Sequence, residues 1–434
     1  MIKCAKTVLA LLLIAIICCG GTFASTIENL NVTYQSSGTY VNIEAITLAN
    51  GGNFFLGMTN NSGAILLKTD ATGKEIWRTS LPGDDVRSLA TLGDGGVVLT
   101  TTIRTVNGSE KTGYTFGGET NLIRVDKEGN ILWHKNIPGI GTGDIVVSDN
   151  VIHFAGWFWE NNTGFIQNYL LSTGTLINDK IHLGSETTSM IPLAMLLEDD
   201  NTLVLTGGTT SNLNEGSTCA WIAKIKNDVV QNQNIIRTGS TDPVYGTGAC
   251  GYAITRAYGG GYLVVGSNPP FGVTWTNGLG WAAHINSDLS NIWVNELPRC
   301  YVPYAVVQFG DRYLIAGMDG YDDPVWLTLS VDGAIIELEK IFQNGKRSMY
   351  NDIASISDRS AALVGWVMKK DFAEGILITL SNTTGMERRE LWITGTTVAI
   401  FILIGAMYFL VIRKSKLVMK NSRKFTKKKA KRKN

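Results

Sequence analysis

The chain has 434 residues, of which 44% are hydrophobic and 17% charged, and a formal net charge of +1; this composition excludes a disordered polyelectrolyte. The neutrality is an average. Two of the 38 Lys and Arg lie in the first 24 residues and twelve in the last 22, which leaves residues 25–412 with 24 basic against 37 acidic side chains, a net of −13. So acidic a body argues against nucleic acid as a partner.

Residues 1–24 read as a secretory signal peptide. Lys3 and Lys6 precede an uncharged apolar run over 8–17, too short to cross a bilayer, and small residues follow up to Ala24. Cys18 and Cys19 follow Ile17, a poor setting for lipidation.

From residue 25 to 386 one pattern recurs: a short apolar strand, a Gly- or Asp-bearing turn, and a second apolar strand. It appears as IEAITLANGGNFFLGMTN (43–60), VRSLATLGDGGVVLTTTI (86–103), GDIVVSDNVIHFAGWFW (143–159), IPLAMLLEDDNTLVLTGGTT (191–210), GYAITRAYGGGYLVVGSN (251–268), PYAVVQFGDRYLIAGMDG (303–320) and NDIASISDRSAALVGWVM (351–368). Each copy is followed by a second hairpin, as in KTDATGKEIWRTSLPG (68–83) and RVDKEGNILWHKNIPG (124–139). Seven units of four strands, none able to bury both faces alone, predict an all-β fold: a seven-bladed β-propeller of four-stranded antiparallel blades over 25–386. The seventh unit stops after its third strand at Ser381, whereas 25–34 forms an unassigned strand. That N-terminal strand is expected to complete the last blade.

The hairpin DATGKEIW (70–77), with echoes at DKEGNILW (126–133) and SDLSNIW (287–293), resembles the blade motif of the pyrroloquinoline-quinone-like propeller superfamily. The resemblance implies a propeller in which Trp77, Trp133 and Trp293 dock between blades. It covers three repeats, departs by one residue between Asp and Gly, and brings no quinone- or calcium-binding pattern with it.

In such a fold the connections from second to third strands share a face with those between blades, and here they are long: 105–120, 156–164, 209–218, 267–280, 318–324 and 367–375. Tyr114, Phe116, Trp157, Trp159, Phe271, Trp275 and Tyr321 lie in or beside them and suit stacking on a glycan or protein. Asp319, Asp322, Asp323, Glu160, Asp371 and Glu374 on the same face could hold Ca²⁺, although no calcium-loop spacing is present. The motif GTGACG (246–251) opens a strand, not the helix a phosphate site requires, and His134, His153, His182 and His284 lie apart.

Cys219, Cys250 and Cys300 are odd in number in an exported chain, so one disulfide with one thiol left over is expected, the pair being undetermined. Asn31, Asn60, Asn107, Asn161 and Asn382 begin glycosylation sequons. Residues 391–412 form a 22-residue uncharged run, long enough for a transmembrane helix, and the tail 413–434 carries twelve basic residues and no acid. The positive-inside rule places this tail in the cytoplasm, near anionic lipid, and the body outside. The expectation is a single-pass cell-membrane protein, a noncatalytic binding or scaffold propeller. An exported hydrolase, lyase or quinoprotein, or an accessory subunit of a membrane complex, are the alternatives.

Overall fold

The computed structural model describes residues 25–35, 40–109, 113–158, 160, 163–178, 181–185, 188–211, 218–236, 249–268, 279–319, 323–340, 348–369 and 372–383. The predicted signal peptide, transmembrane helix and tail lie outside these residues. Among the described residues no helix is long and apolar enough to cross a membrane. Contacts divide the chain into two compact units, residues 27–381 and the joined ends 1–26 and 382–434; only 25–26 and 382–383 of the second unit are described. The sheets belong to the first unit.

After β1 (Ser25–Tyr34) comes a meander of β2 (Val41–Leu48), β3 (Phe54–Asn60), β4 (Gly63–Thr69) and β5 (Glu75–Ser80). The next holds β6 (Asp85–Thr91), β7 (Val97–Ser109), β8 (Gly113–Val125) and β9 (Ile131–Pro138). Then come β10 (Ile140–Ser148), β11 (Val151–Phe158) and β12 (Gly164–Leu170), whose outer edge is shared by the short β13 (Thr175–Leu176) and β14 (Ile181–Ser185). Two further meanders follow: β15 (Thr188–Leu197), β16 (Leu203–Ser211), β17 (Thr218–Lys226) and β18 (Val229–Ile236), then β19 (Cys250–Arg256), β20 (Tyr262–Asn268), β21 (Leu279–Ile285) and β22 (Asn291–Leu297). A short β14–β15 ladder and the single pair Gly208–Cys250 tie these last three meanders into one sheet. The chain continues with β23 (Val302–Phe309), β24 (Arg312–Met318), β25 (Pro324–Leu329) and β26 (Ile335–Lys340), and ends with β27 (Ser348–Ser357), β28 (Ser360–Lys369) and β29 (Phe372–Thr383).

The first strands of successive meanders touch in a cycle, β2 to β6, β10, β15, β19, β23, β27 and back to β2. Four-stranded antiparallel sheets arranged around a common axis make a β-propeller. The last sheet has the order β1-β29-β28-β27, so the N-terminal strand does fill its outer place. Asn29 Nδ2 donates to Ser381 Oγ at 2.5 Å across that pairing.

Middle strands carry unbroken apolar runs because both faces of each sheet are covered by neighbours. Every residue of β24 is buried, for example. The core is a series of layers between sheets: Phe55 and Leu66 pack with Val86, Leu99 and Ile123 of the following sheet, and Ile43 and Leu56 pack with Val364 and Leu377 of the last.

The outer hairpins lock each sheet to the next. Trp77 Nε1 donates to the Lys127 carbonyl at 3.0 Å, and Trp133 Nε1 to the Leu171 carbonyl at 3.0 Å, each in the turn of the following sheet. Their rings lie on turn glycines: a Cβ at Gly129 would sit 3.0 Å from Trp77, one at Gly174 2.8 Å from Trp133, and one at Gly333 2.9 Å from Trp293. Gly129 also has φ +94°, a conformation other residues adopt only under strain. Tyr34 of β1 takes the same role at the closure, with its hydroxyl on the Gly73 carbonyl at 2.6 Å. Trp77→Ala is expected to destabilise the fold by about 2–3 kcal/mol, through lost ring packing and one hydrogen bond. Urea unfolding of the detergent-solubilised chain measures it, and a change below about 0.5 kcal/mol would contradict the docking role.

Parts of three of the expected long loops are strand. β7 and β8 continue pairing from Thr102–Thr120 out to Ser109–Gly113, so 105–109 and 113–120 form a two-stranded arm. β28 and β29 pair to Lys369–Phe372, and β11 and β12 to Trp157–Gly164. The β-branched and aromatic residues of these segments fit an extended ladder, which overrides the turn signal of their Gly and Asn.

Candidate functional site

The first strand of every meander carries a β-bulge at the same place. The register shifts fall between Ile43 and Ala45, Val86 and Ser88, Thr142 and Asp144, Pro192 and Ala194, Gly251 and Ala253, Pro303 and Ala305, and Tyr350 and Asp352. The extra residue is Glu44, Arg87, Gly143, Leu193, Tyr252, Tyr304 or Asn351. Glycines in the second strands make room for the bulge: a Cβ at Gly207, Gly266, Gly317 or Gly365 would collide with the carbonyl of Ile191, Cys250, Val302 or Met349. Because these strands surround the axis and start on the face of the second-to-third connections, the bulges form a ring at that mouth of the axis.

Directly after the bulge stand Ala45, Ser88, Asp144, Ala194, Ala253, Ala305 and Asp352. Where this residue is polar it staples its strand to the next first strand. Ser88 Oγ accepts from Ile145 N at 3.4 Å and donates to Asp144 Oδ1 at 2.6 Å. Asp144 Oδ2 accepts from Met195 N at 2.8 Å, and Asp352 Oδ2 from Ile46 N at 2.9 Å. Burial raises both carboxyls, Asp144 to about 6 and Asp352 to about 7, against the opposing pull of these amides; the Asp144 charge raises Asp352 further.

A polar chain crosses the closure at the bulge level. Asn351 Nδ2 donates to Asn42 Oδ1 at 2.7 Å and to the Ile43 carbonyl at 2.8 Å, and Asn42 Nδ2 donates to Glu44 Oε1 at 3.0 Å. Glu44 Oε2 and the Thr59 hydroxyl are buried without a hydrogen-bond partner among the described residues, though Thr59 lies close enough to pull the Glu44 carboxyl down. Burial pushes the Glu44 carboxyl up to about 7, with Arg87 and Arg104 pulling it down and Asp85 raising it. Next to it Asp85, only 4% exposed, accepts from Arg87 NH2 at 2.7 Å and from Arg104 NH2, both on Oδ2, while Thr102 donates to Oδ1. Farther round the ring, the rings of Tyr252 and Tyr304 meet at 5.9 Å, tilted by 49°. An arginine pair, a protonatable acid and tyrosines suit recognition of a polar ligand.

Of the residues expected to bind, Trp157 is half-buried and its indole occupies the space over Gly141 of β10, so it packs across its own sheet. The backbone of Tyr114 pairs with Gly108 in the β7–β8 arm. Trp159, Phe271, Trp275, Tyr321 and Asp322 lie outside the described residues, as do Asn161 and Asp371. Glu374 is engaged by Gln35 at 2.5 Å and Lys369 at 3.9 Å, and Asp319 is buried and accepts from Asp323 N at 3.0 Å. Among the described residues no three His, Cys, Asp or Glu side chains converge as metal ligands. Asn31 is exposed, Asn60 accepts from Ser62 N at 2.8 Å, and Asn107 lies in β7; Asn382 is only 4% exposed, a poor position for a glycan.

The expected disulfide is not formed: Cys219, Cys250 and Cys300 are all free. Cys250 and Cys300 open or precede corresponding strands of successive sheets, and both are buried. Desolvation pushes both thiols up to about 12, so they stay protonated and unreactive.

No family model matches the chain, and no curated protein matches it in sequence. Among solved structures it is similar to the propeller of Dos1, at 12% identity over 78% of this chain and 77% of that one, with a TM-score of 0.48. It is also similar to the C-terminal WD40 domain of Sif2, at 10% identity over 78% and 81%, TM-score 0.48, and to the WD40 domain of SCAP from fission yeast, at 11% identity over 83% and 98%, TM-score 0.42. Likenesses this distant carry no argument about function.

Proposed function

We propose that the chain is an exported, membrane-anchored, seven-bladed β-propeller of the pyrroloquinoline-quinone-like kind that binds an extracellular glycan or protein at the axial mouth, without catalysis. The carrying observation is the Asn351–Asn42–Glu44 chain beside the Asp85-anchored Arg87 and Arg104, polar groups gathered on the ring of first strands and, for Arg104, on the adjoining β7. The uncharged run 391–412 supplies the single anchor and the basic tail its cytoplasmic orientation, with glycans at Asn31, Asn60 and Asn107 and Ca²⁺ as an optional loop ligand near Asp322. Screening the full chain in lipid nanodiscs against glycans and cell-surface proteins tests this reading. It predicts a retained ligand that Arg104→Glu releases, and failure to retain any ligand would overturn it.

One observation favours a second reading. A glutamate with its carboxyl near 7 beside arginines has the acidity of a general acid or base, as an exported hydrolase or lyase would use. Turnover of a retained ligand that Glu44→Gln abolishes would establish it.

A further inference from the structure

We infer that Arg87 and Arg104 form a carboxylate-binding site at the axial mouth; this deepens the binding reading by naming the ligand group. Both guanidinium groups converge on a single oxygen of one buried aspartate, Asp85 Oδ2, and each spends one NH2 donor there. Their Nε and NH1 donors make no hydrogen bond among the described residues, and the two side chains are 36% and 59% exposed. The two cations share the buried Asp85, with Asp84 a second acid beside them, and their remaining donors stay open within a body of net −13.

Like charges held this close repel, and Asp85 fixes them by taking hydrogen bonds from both and a third from Thr102. The energetically matched addition is a further anion on the open side, where the unused guanidinium donors remain. Planar guanidinium forks with paired donors suit a planar carboxylate, which each can engage bidentately, better than a point charge would. Of the other acids at the site, Glu44 is the neighbour raised to about 7 by burial; while protonated it does not compete for the arginines. Around them Asn42, Thr59 and Asn351 are neutral, and Asp84 Oδ2 is engaged by the Arg104 backbone N–H at 2.9 Å.

The test is calorimetric titration of the full chain in detergent micelles with D-glucuronate, with D-glucose as its neutral counterpart and sodium sulfate as a non-planar anion, all at constant ionic strength. Saturable glucuronate binding is expected, with none for glucose and weaker binding of sulfate. Arg87→Ala and Arg104→Ala should each weaken glucuronate about tenfold or more, and Arg87→Lys should recover part of that loss because it restores charge without the fork. In either alanine variant Asp85 keeps one arginine, and an unchanged circular dichroism spectrum verifies the fold. Absent glucuronate binding, equal binding of glucose, equal or tighter sulfate, or indifference to both alanine variants would each overturn the site. If the nanodisc screen retains nothing but glucuronate binds as described, the macromolecular binding role falls and the carboxylate site stands; the reverse pair of results removes the site and leaves the role.

Discussion

A chain in which Ala24 is joined directly to Ser36, deleting residues 25–35, is expected to lose its cooperative unfolding transition. Three interactions go together. The outer edge of β29 loses its partner strand and becomes an open template for aggregation. Leu30 and Tyr34 leave the layer built on Leu56, Val364 and Leu377, uncovering apolar surface on both sheets of the seam. The Tyr34 hydroxyl no longer holds the Gly73 turn. The sum, on the order of 5 kcal/mol or more, is comparable with the whole stability of an ordinary domain. The inner contacts between β27 and β2 persist in this variant, so a compact but loosened ring is the expected product. Tryptophan fluorescence in urea with limited proteolysis checks it. A synthetic peptide of residues 25–35 should restore the transition in proportion to its concentration, as strand complementation requires. A deletion variant that unfolds at the parent's midpoint would show that the ring does not depend on this strand.

That closure was legible because a count of strands left the seventh repeat one short and the N-terminus one over. The docking role of Trp77, Trp133 and Trp293 was legible only through the resemblance of their hairpins to a known blade motif. Glu44, Arg87 and Asn351 were not, for a physical reason. A bulge is a property of two strands in register, and the residues at that position, from Glu44 through Gly143 to Tyr304, share no chemistry that a repeat alignment would reveal. The usable signal was on the partner strand, in the glycine that ends four of the apolar runs, as in LVLTGG, YLVVGS and YLIAGM, where the first strand's carbonyl leaves no room for a Cβ. The small-residue column after the bulge, broken only by Ser88, Asp144 and Asp352, was a second signal. The connecting arms misled in the opposite direction: residues 105–109 and 113–120 have the Gly, Thr and Asn content of a loop, yet their ladder continues because the β-branched and aromatic residues among them fit extended backbone.

Asp352→Ala is expected to destabilise the protein by about 2–4 kcal/mol at pH 5, since the Ile46 amide of β2 and the Ile353 amide would lose the oxygens that accept from them at 2.9 and 2.8 Å in a buried layer. The pH dependence is the sharper part of the prediction. Folding raises the Asp352 carboxyl from its ordinary 3.8 to about 7, chiefly by desolvation, so between these values the folded chain binds more protons than the unfolded one. Stability from this group is therefore fully present below about pH 4 and is lost as pH rises toward 7, by up to about 4 kcal/mol. Asp144, raised to about 6, acts in the same direction, and its charge adds to the cost of ionising Asp352. Asp352→Asn, which keeps one acceptor for the Ile46 amide and cannot ionise, should flatten the decline; Asp144→Asn should flatten it less and lower the Asp352 carboxyl. The two effects should be less than additive because the charges interact. Urea midpoints from pH 4 to 8 for the parent, both single variants and the double variant give the comparison. If the parent gains stability over that range, or if Asp352→Asn leaves the slope unchanged, the carboxyl is not held protonated in the folded ring, and its two amide bonds must then be made by an ionised aspartate.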